Sequence, residues 1–123
     1  MTLRRLLLVV AGGMLGTAAR LTLGLLVPSA GSFPVATLVA NGVGALLIGV
    51  LAARLPGSSD RRVFLGTGVL GGFTTYSAFA LGSVELWSHS PLLAGLYAVF
   101  TLGLGIAAAA LGLRLGRPRR AAE

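Results

Sequence analysis

The sequence predicts an all-α integral membrane protein with four transmembrane helices, the third of them broken. Three observations carry that prediction. Of 123 residues, 55% are hydrophobic and only 11% charged, against about 25% charged in soluble domains. The apolar residues gather into four runs, at about 6–27, 35–53, 63–86 and 91–113. Each approaches or exceeds the roughly 20 residues that a helix needs to cross the hydrocarbon layer. Nine of the ten arginines stand at the ends of these runs, where membrane spans carry their flanking charges.

The same composition excludes several functions. There is no cysteine, so no disulfide or thiolate metal site can form. One histidine and three carboxylates leave little for metal or acid–base chemistry. Nothing makes a nucleophile–base pair, which argues against an enzyme. A net charge of +7 would suit nucleic acid in a soluble chain, but here the basic residues are span flanks. The first run looks at first like a signal peptide. It is too long for one and no polar domain follows it, so it reads as a retained span.

The first run follows Arg4-Arg5 and precedes Pro28-Ser29. Its Gly12, Gly13 and Gly16 form a small-residue face suited to close helix contact. Arg20 lies within it; a charge there is either functional or paired, or else snorkels to the headgroups. Pro34 opens the second run, as proline does at a first helical turn. Asn41 is that run's one strongly polar side chain. Its amide either bonds a neighbouring helix as glue or presents N–H donors to an anion. A Pro-Gly-Ser-Ser loop at 56–59 leads to the third run. Beyond that run, Trp87 suits an interface, and lone His89 reads as a loop residue without chemistry. The fourth run is apolar except for Tyr97 and Thr101, and the Thr101 hydroxyl is expected to bond its own helix backbone. A basic tail fills 114–123.

The third run carries the chemistry. Gly71-Gly72 is its weakest helical point. Four hydroxyl residues follow, Thr74 to Ser77, and at about 100° per residue they cannot all avoid lipid from one face. In hydrocarbon such polarity survives only in contact with protein or along a cavity. The stretch therefore reads as a broken helix with a binding site at the break; the competing reading is a kink packed by small residues. Phe73, Tyr76 and Phe79, spaced by three, would share one helix face. That stripe is either core packing or a row of ring edges able to meet a small anion. Hydroxyls and the Asn41 amide suit an anion that must also leave. Carbonyls freed at the break suit a hard cation.

Counting arginines gives the orientation. The N-terminus, the second loop and the tail share one side and hold nine; the other two loops hold none. Both termini are then cytoplasmic. Four short helices should enclose no useful cavity, so a transport path calls for a second chain.

Three motifs in order, Gly12-Gly13-x-x-Gly16-x-x-x-Arg20, Asn41-Gly42-x-Gly44 and Gly71-Gly72-Phe73-Thr74-Thr75-Tyr76-Ser77-Ala78-Phe79, resemble the Fluc (CrcB) fluoride channels over essentially the whole chain. The resemblance implies passive fluoride export across the cytoplasmic membrane by an antiparallel dimer of four-helix subunits. It implies a structural Na⁺ at the dimer centre, held by the carbonyls of Gly71 and Thr74. It places the fluoride path on Asn41, Tyr76, Phe79, Ser77, Thr75, Thr101 and Arg20. The family usually has phenylalanine and threonine where this chain has Tyr76 and Ala78. It commonly has a glutamate where this chain has Gly82, with Glu85 one turn later. Two other readings remain at this stage. A four-helix proton-coupled multidrug exporter would want a carboxylate buried in a span, and Glu85 sits near an end. A non-conducting subunit could support a partner's pore. The partner is either the same chain inverted or an oppositely oriented paralogue, and the one-sided arginines favour the paralogue.

Overall fold

The computed structural model describes residues 2–27 and 33–117. The expected turn at Pro28-Ser29 and the end of the tail, with Arg119 and Arg120, lie outside the described residues. Six α-helices and one π-helical segment form the described chain: α1 (Leu3–Leu26), α2 (Val35–Arg54), α3 (Asp60–Arg62), the π-helical segment (Val63–Leu70), α4 (Gly71–Phe73), α5 (Tyr76–His89) and α6 (Pro91–Gly116). Residues Asp60–His89 form the third span, and four helical stretches in all are long and apolar enough to cross a membrane.

Hydroxyl side chains set most helix starts. Thr2 accepts from the Arg5 N–H, Ser59 from Arg62, Thr75 from Ala78 and Ser90 from Leu93, at 3.1 to 3.4 Å. Each satisfies one of the donors that a helix start leaves unpaired. Pro91 then occupies the first turn of α6, where its missing N–H costs nothing. Pro34 stands just before α2.

The helices pack as two parallel pairs. α1 lies along the π-helical segment and α4, and α2 lies along α6. Glycine permits both approaches. A Cβ on Gly12 would stand 2.6 Å from the Phe64 carbonyl oxygen, and one on Gly72 would stand 2.5 Å from that of Gly13. On the other seam, a Cβ on Gly112 would run into the Leu46 carbonyl and one on Gly116 would stand 2.8 Å from that of Val50. Small-residue contact of this kind replaces the hydrophobic drive that lipid removes. The outer surfaces stay apolar: Leu25, Leu21, Val99 and Ile106 are all more than half exposed. The largest fully buried side chains are Tyr97 and Leu86, where α5 turns back on α6 beneath Phe33.

Within the expected interval of 71–75, the break falls at the threonines and not at the glycines. Gly71 and Gly72 stay helical, and the extended residues are Thr74 (φ −78°, ψ 155°) and Thr75 (φ −149°, ψ 118°). Gly72 is spent on the contact with α1, and the hydroxyl residues carry the interruption. The expected aromatic stripe is also corrected. Phe73 belongs to α4, upstream of the break, so it shares no helix face with Tyr76 and Phe79.

Gly112→Leu should pry α2 from α6. Overpacking typically costs about 1–3 kcal/mol, and equilibrium unfolding in detergent should register a loss of at least that size. Gly103→Leu, at a glycine with open space around it, should leave stability unchanged.

Candidate functional site

The interruption frees backbone groups at membrane depth, and each needs a partner. The Leu70 carbonyl accepts from both the N–H and the hydroxyl of Thr74, each at 2.9 Å. The Gly72 carbonyl accepts from Arg20 Nε at 3.3 Å and from Thr17 Oγ1 at 3.5 Å. On the far side, Asn41 reaches across from α2. Its Nδ2 donates to the Thr75 carbonyl at 3.0 Å, and its Oδ1 accepts the Thr75 N–H at 2.8 Å. The two bonds fix which way the amide points, since only oxygen accepts and only nitrogen donates. The glue reading of Asn41 therefore holds. One Nδ2 hydrogen is left over for another acceptor. The carbonyls of Gly71, Phe73 and Thr74 receive no hydrogen bond from the described residues.

Beside the break lies an open cleft of about 530 Å³ between α2, the third span and α6. It gathers seven of the nine candidate residues: Asn41, Gly71, Thr74, Thr75, Tyr76, Phe79 and Thr101. Its lining is mostly aliphatic and glycine, with polar groups only from Asn41, the threonines and Tyr76. The other two candidates stand apart. Ser77 is exposed and shares a hydrogen bond with Thr75 Oγ1 at 3.1 Å. Arg20 lines a second cleft of about 410 Å³ with Thr37 and Ala78, on the other side of the break. Thr75 borders both clefts, so the extended residues form a wall between them. Arg20 is paired with a backbone carbonyl, which the snorkelling reading did not anticipate.

The aromatic rings form a chain. Tyr76 and Phe79 lie 5.9 Å apart by centroid, Phe79 and Tyr97 5.6 Å, and Tyr97 meets Phe33 edge-on at 5.4 Å and 82°. Tyr76 at its outer end is 79% exposed. In the sequence Tyr97 is only one polar exception in an apolar run. Its hydroxyl and that of Thr101, one turn further on, are buried without a hydrogen-bond partner among the described residues. The expectation that Thr101 bonds its own backbone is thus overturned. A spacing of four on one helix was the available signal.

Gly82 is buried against the chain that leads into α2. A Cβ there would stand 2.8 Å from Pro34 Cγ, so a glutamate does not fit while Pro34 stays in place. Glu85 is exposed and lines neither cleft. His89 Nδ1 lies 3.0 Å from the Glu85 carbonyl, at the C-terminal turn of α5.

The family model described as CrcB-like protein, Camphor Resistance (CrcB), matches residues 7–113. The chain belongs to the CrcB family. Curated relatives agree over most of their length. A protein named fluoride-specific ion channel FluC from Rhizobium meliloti is 44% identical, across 94% of this chain and 98% of its own. Others named FluC 2 are 46% identical in Leifsonia xyli, over 92% of this chain and 83% of theirs, and 44% in Corynebacterium jeikeium, over 89% and 78%. For this CrcB chain, the matched segment contains the break, both clefts and the aromatic chain.

Asn41→Leu should leave the N–H and carbonyl of Thr75 unpaired. At about 1–3 kcal/mol for each buried orphan, stability should fall by roughly 2–6 kcal/mol, read by unfolding in detergent. Amide exchange at Thr75 should accelerate while exchange in the middle of α1 does not.

Proposed function

We propose that the chain is a subunit of a channel that lets fluoride leave the cell passively across the cytoplasmic membrane. The observation that carries this reading is the open cleft. Residues from three spans meet there, and the donors they offer are neutral and few. An Asn41 N–H, the threonine hydroxyls and aromatic ring edges can each replace part of an anion's hydration without holding it as a fixed cation would. The fluoride-specific names of the relatives point to the same ion.

The cleft lining contains no carboxylate, the group that proton-coupled drug export would want there. Arg20, by contrast, carries full charge and stands behind the wall that Thr75 forms. Its role in this reading is to hold the Gly72 carbonyl and shape the approach to the pore.

The site is half-built in one chain. The free carbonyls of Gly71 and Thr74 are hard oxygen donors that suit Na⁺, and both residues line the cleft. When bound, the ion would supply a fixed positive charge at the break and tie the two halves of the third span together. Two carbonyls do not complete the shell of such an ion, and the cleft is open on one side. A second, antiparallel subunit would supply the rest. The described arginines other than Arg20 all lie at one end of the bundle, which supports a single orientation with both termini in the cytoplasm. That bias favours an oppositely oriented paralogue as partner over an inverted copy of the same chain.

Liposomes loaded with fluoride test the reading. This chain, alone or with a paralogue, should release fluoride and retain chloride. Thr101→Val should slow release by roughly ten- to a hundredfold, the worth of one hydrogen bond to an ion, and Phe79→Ile should do so with the assembly intact. Unaltered release in both variants would return Thr101 and Phe79 to packing roles. A C-terminal tag should be accessible from the cytoplasmic side only; equal labelling from both sides would restore the homodimer.

A further inference from the structure

The positive charge of Arg20 meets no carboxylate among the described residues. The ion pairs found there are those of Arg4 and Arg5 with Asp60, and Glu85 lines neither cleft. Arg20 is half-buried beside the second cleft, and its charge faces backbone: Nε donates to the Gly72 carbonyl at 3.3 Å. Thr17 Oγ1 reaches the same oxygen at 3.5 Å as a neutral donor.

The residues on either side of Gly72 carry the open oxygens. Gly71 precedes it directly, and Phe73 and Thr74 follow; their carbonyls receive no hydrogen bond from the described residues. With consecutive Cα atoms about 3.8 Å apart, the bond to Gly72 holds the Arg20 side chain within about 10 Å of the Gly71 oxygen. Arg20 reaches this stretch from the second cleft, while Gly71 and Thr74 line the first. Its charge therefore acts on the cleft-side oxygens from behind, without standing where an ion would bind.

The ligands offered to a cation are thus neutral carbonyls, with no carboxylate in the lining of either cleft. Repulsion from a fixed charge grows in proportion to the charge on the ion. At about 10 Å and an effective dielectric constant of about 20, each unit of charge weakens binding roughly tenfold. Calcium sites offset such costs with Asp and Glu, and none is present here.

We propose that Arg20 makes the cation site at the break selective for monovalent ions, admitting Na⁺ and turning away divalent ions of similar size by repulsion from its place on the Gly72 carbonyl. The inference rests on the reading of the Gly71 and Thr74 carbonyls as Na⁺ ligands. Arg20 does not ligate the cation; it determines specificity through its charge.

The test is thermal unfolding of the purified full-length protein, alone or with a paralogue, in an uncharged detergent. Sodium chloride and calcium chloride are titrated separately at constant ionic strength, since the two cations are nearly equal in size and differ in charge. Wild type should be stabilised by Na⁺ at lower concentration than by Ca²⁺. Arg20→Gln should move the ratio of the two midpoints roughly tenfold toward Ca²⁺, and Arg20→Met, a second neutral variant, should move it likewise. Arg20→Lys keeps the charge and Thr17→Val removes only a neutral donor, so both should keep the wild-type ratio. A merely structural arginine would weaken both ions alike and leave the ratio in place. Equal stabilisation of wild type by the two ions, an unmoved ratio in the neutral variants, or the same shift in Thr17→Val would overturn the proposal. Wild type indifferent to both ions would overturn the Na⁺ reading, and the proposal with it; a Na⁺ effect whose charge dependence ignores Arg20 would overturn the proposal alone.

Discussion

The pairing of one side-chain amide with one residue's backbone holds the centre of this molecule together. A membrane helix that stops and restarts must answer for its own carbonyls and N–H groups, because lipid offers them nothing. Asn41 covers both backbone groups of Thr75 at once. With the amide in place the third span can change direction at Thr74 and Thr75 without exposing polar backbone on the α2 side. The Thr75 hydroxyl is then positioned to start α5, and α5 carries Tyr76 and Phe79 toward Tyr97. The cleft, the wall between the clefts and the aromatic chain all rest on those two hydrogen bonds.

Division of labour at the break follows from charge. The cationic side chain, Arg20, and the neutral amide, Asn41, come from different helices and take different carbonyls, Gly72 and Thr75. The carbonyls between and beside them, at Gly71, Phe73 and Thr74, stay open. An unpaired carbonyl in a low-dielectric setting is costly. Three within four residues, two of them on the cleft-lining Gly71 and Thr74, set electronegative oxygen beside a cleft whose side chains are neutral donors. Opposite ionic preferences thus lie within a few residues of each other, backbone oxygen for cations and side-chain hydrogen for anions.

Much of this was readable in the chain. Hydropathy and the arginine flanks gave four spans to within a few residues, because length and charge are what a bilayer constrains. The run of hydroxyls gave the existence of a break. Its position was less legible. Glycine is the residue most often blamed for a broken helix, yet Gly72 serves an interhelical contact that only the folded chain reveals. The wide turn of the π-helical segment at Val63–Leu70 was not expected from the sequence. Asn41 was legible as polar and placed, but its two readings could be separated only once Thr75 was seen opposite. The unpaired hydroxyls of Tyr97 and Thr101 were hidden for a related reason. A hydroxyl in an apolar run defaults to its own backbone, and only the spacing of four between Tyr97 and Thr101 sets this pair apart.

The contact between Gly82 and Pro34 has a consequence for sequence exchange among relatives. One position lies in the last third of the third span and the other just ahead of the second, 48 residues earlier in the chain. Because the proline ring fills the space that a side chain at 82 would need, position 82 is not free to vary while the proline stays. A glutamate transplanted into this chain meets a steric barrier before it reaches any question of ion chemistry. The glycine and the proline are thus two halves of one steric fit, and the space for an acidic side chain at 82 opens only where the proline ring gives way.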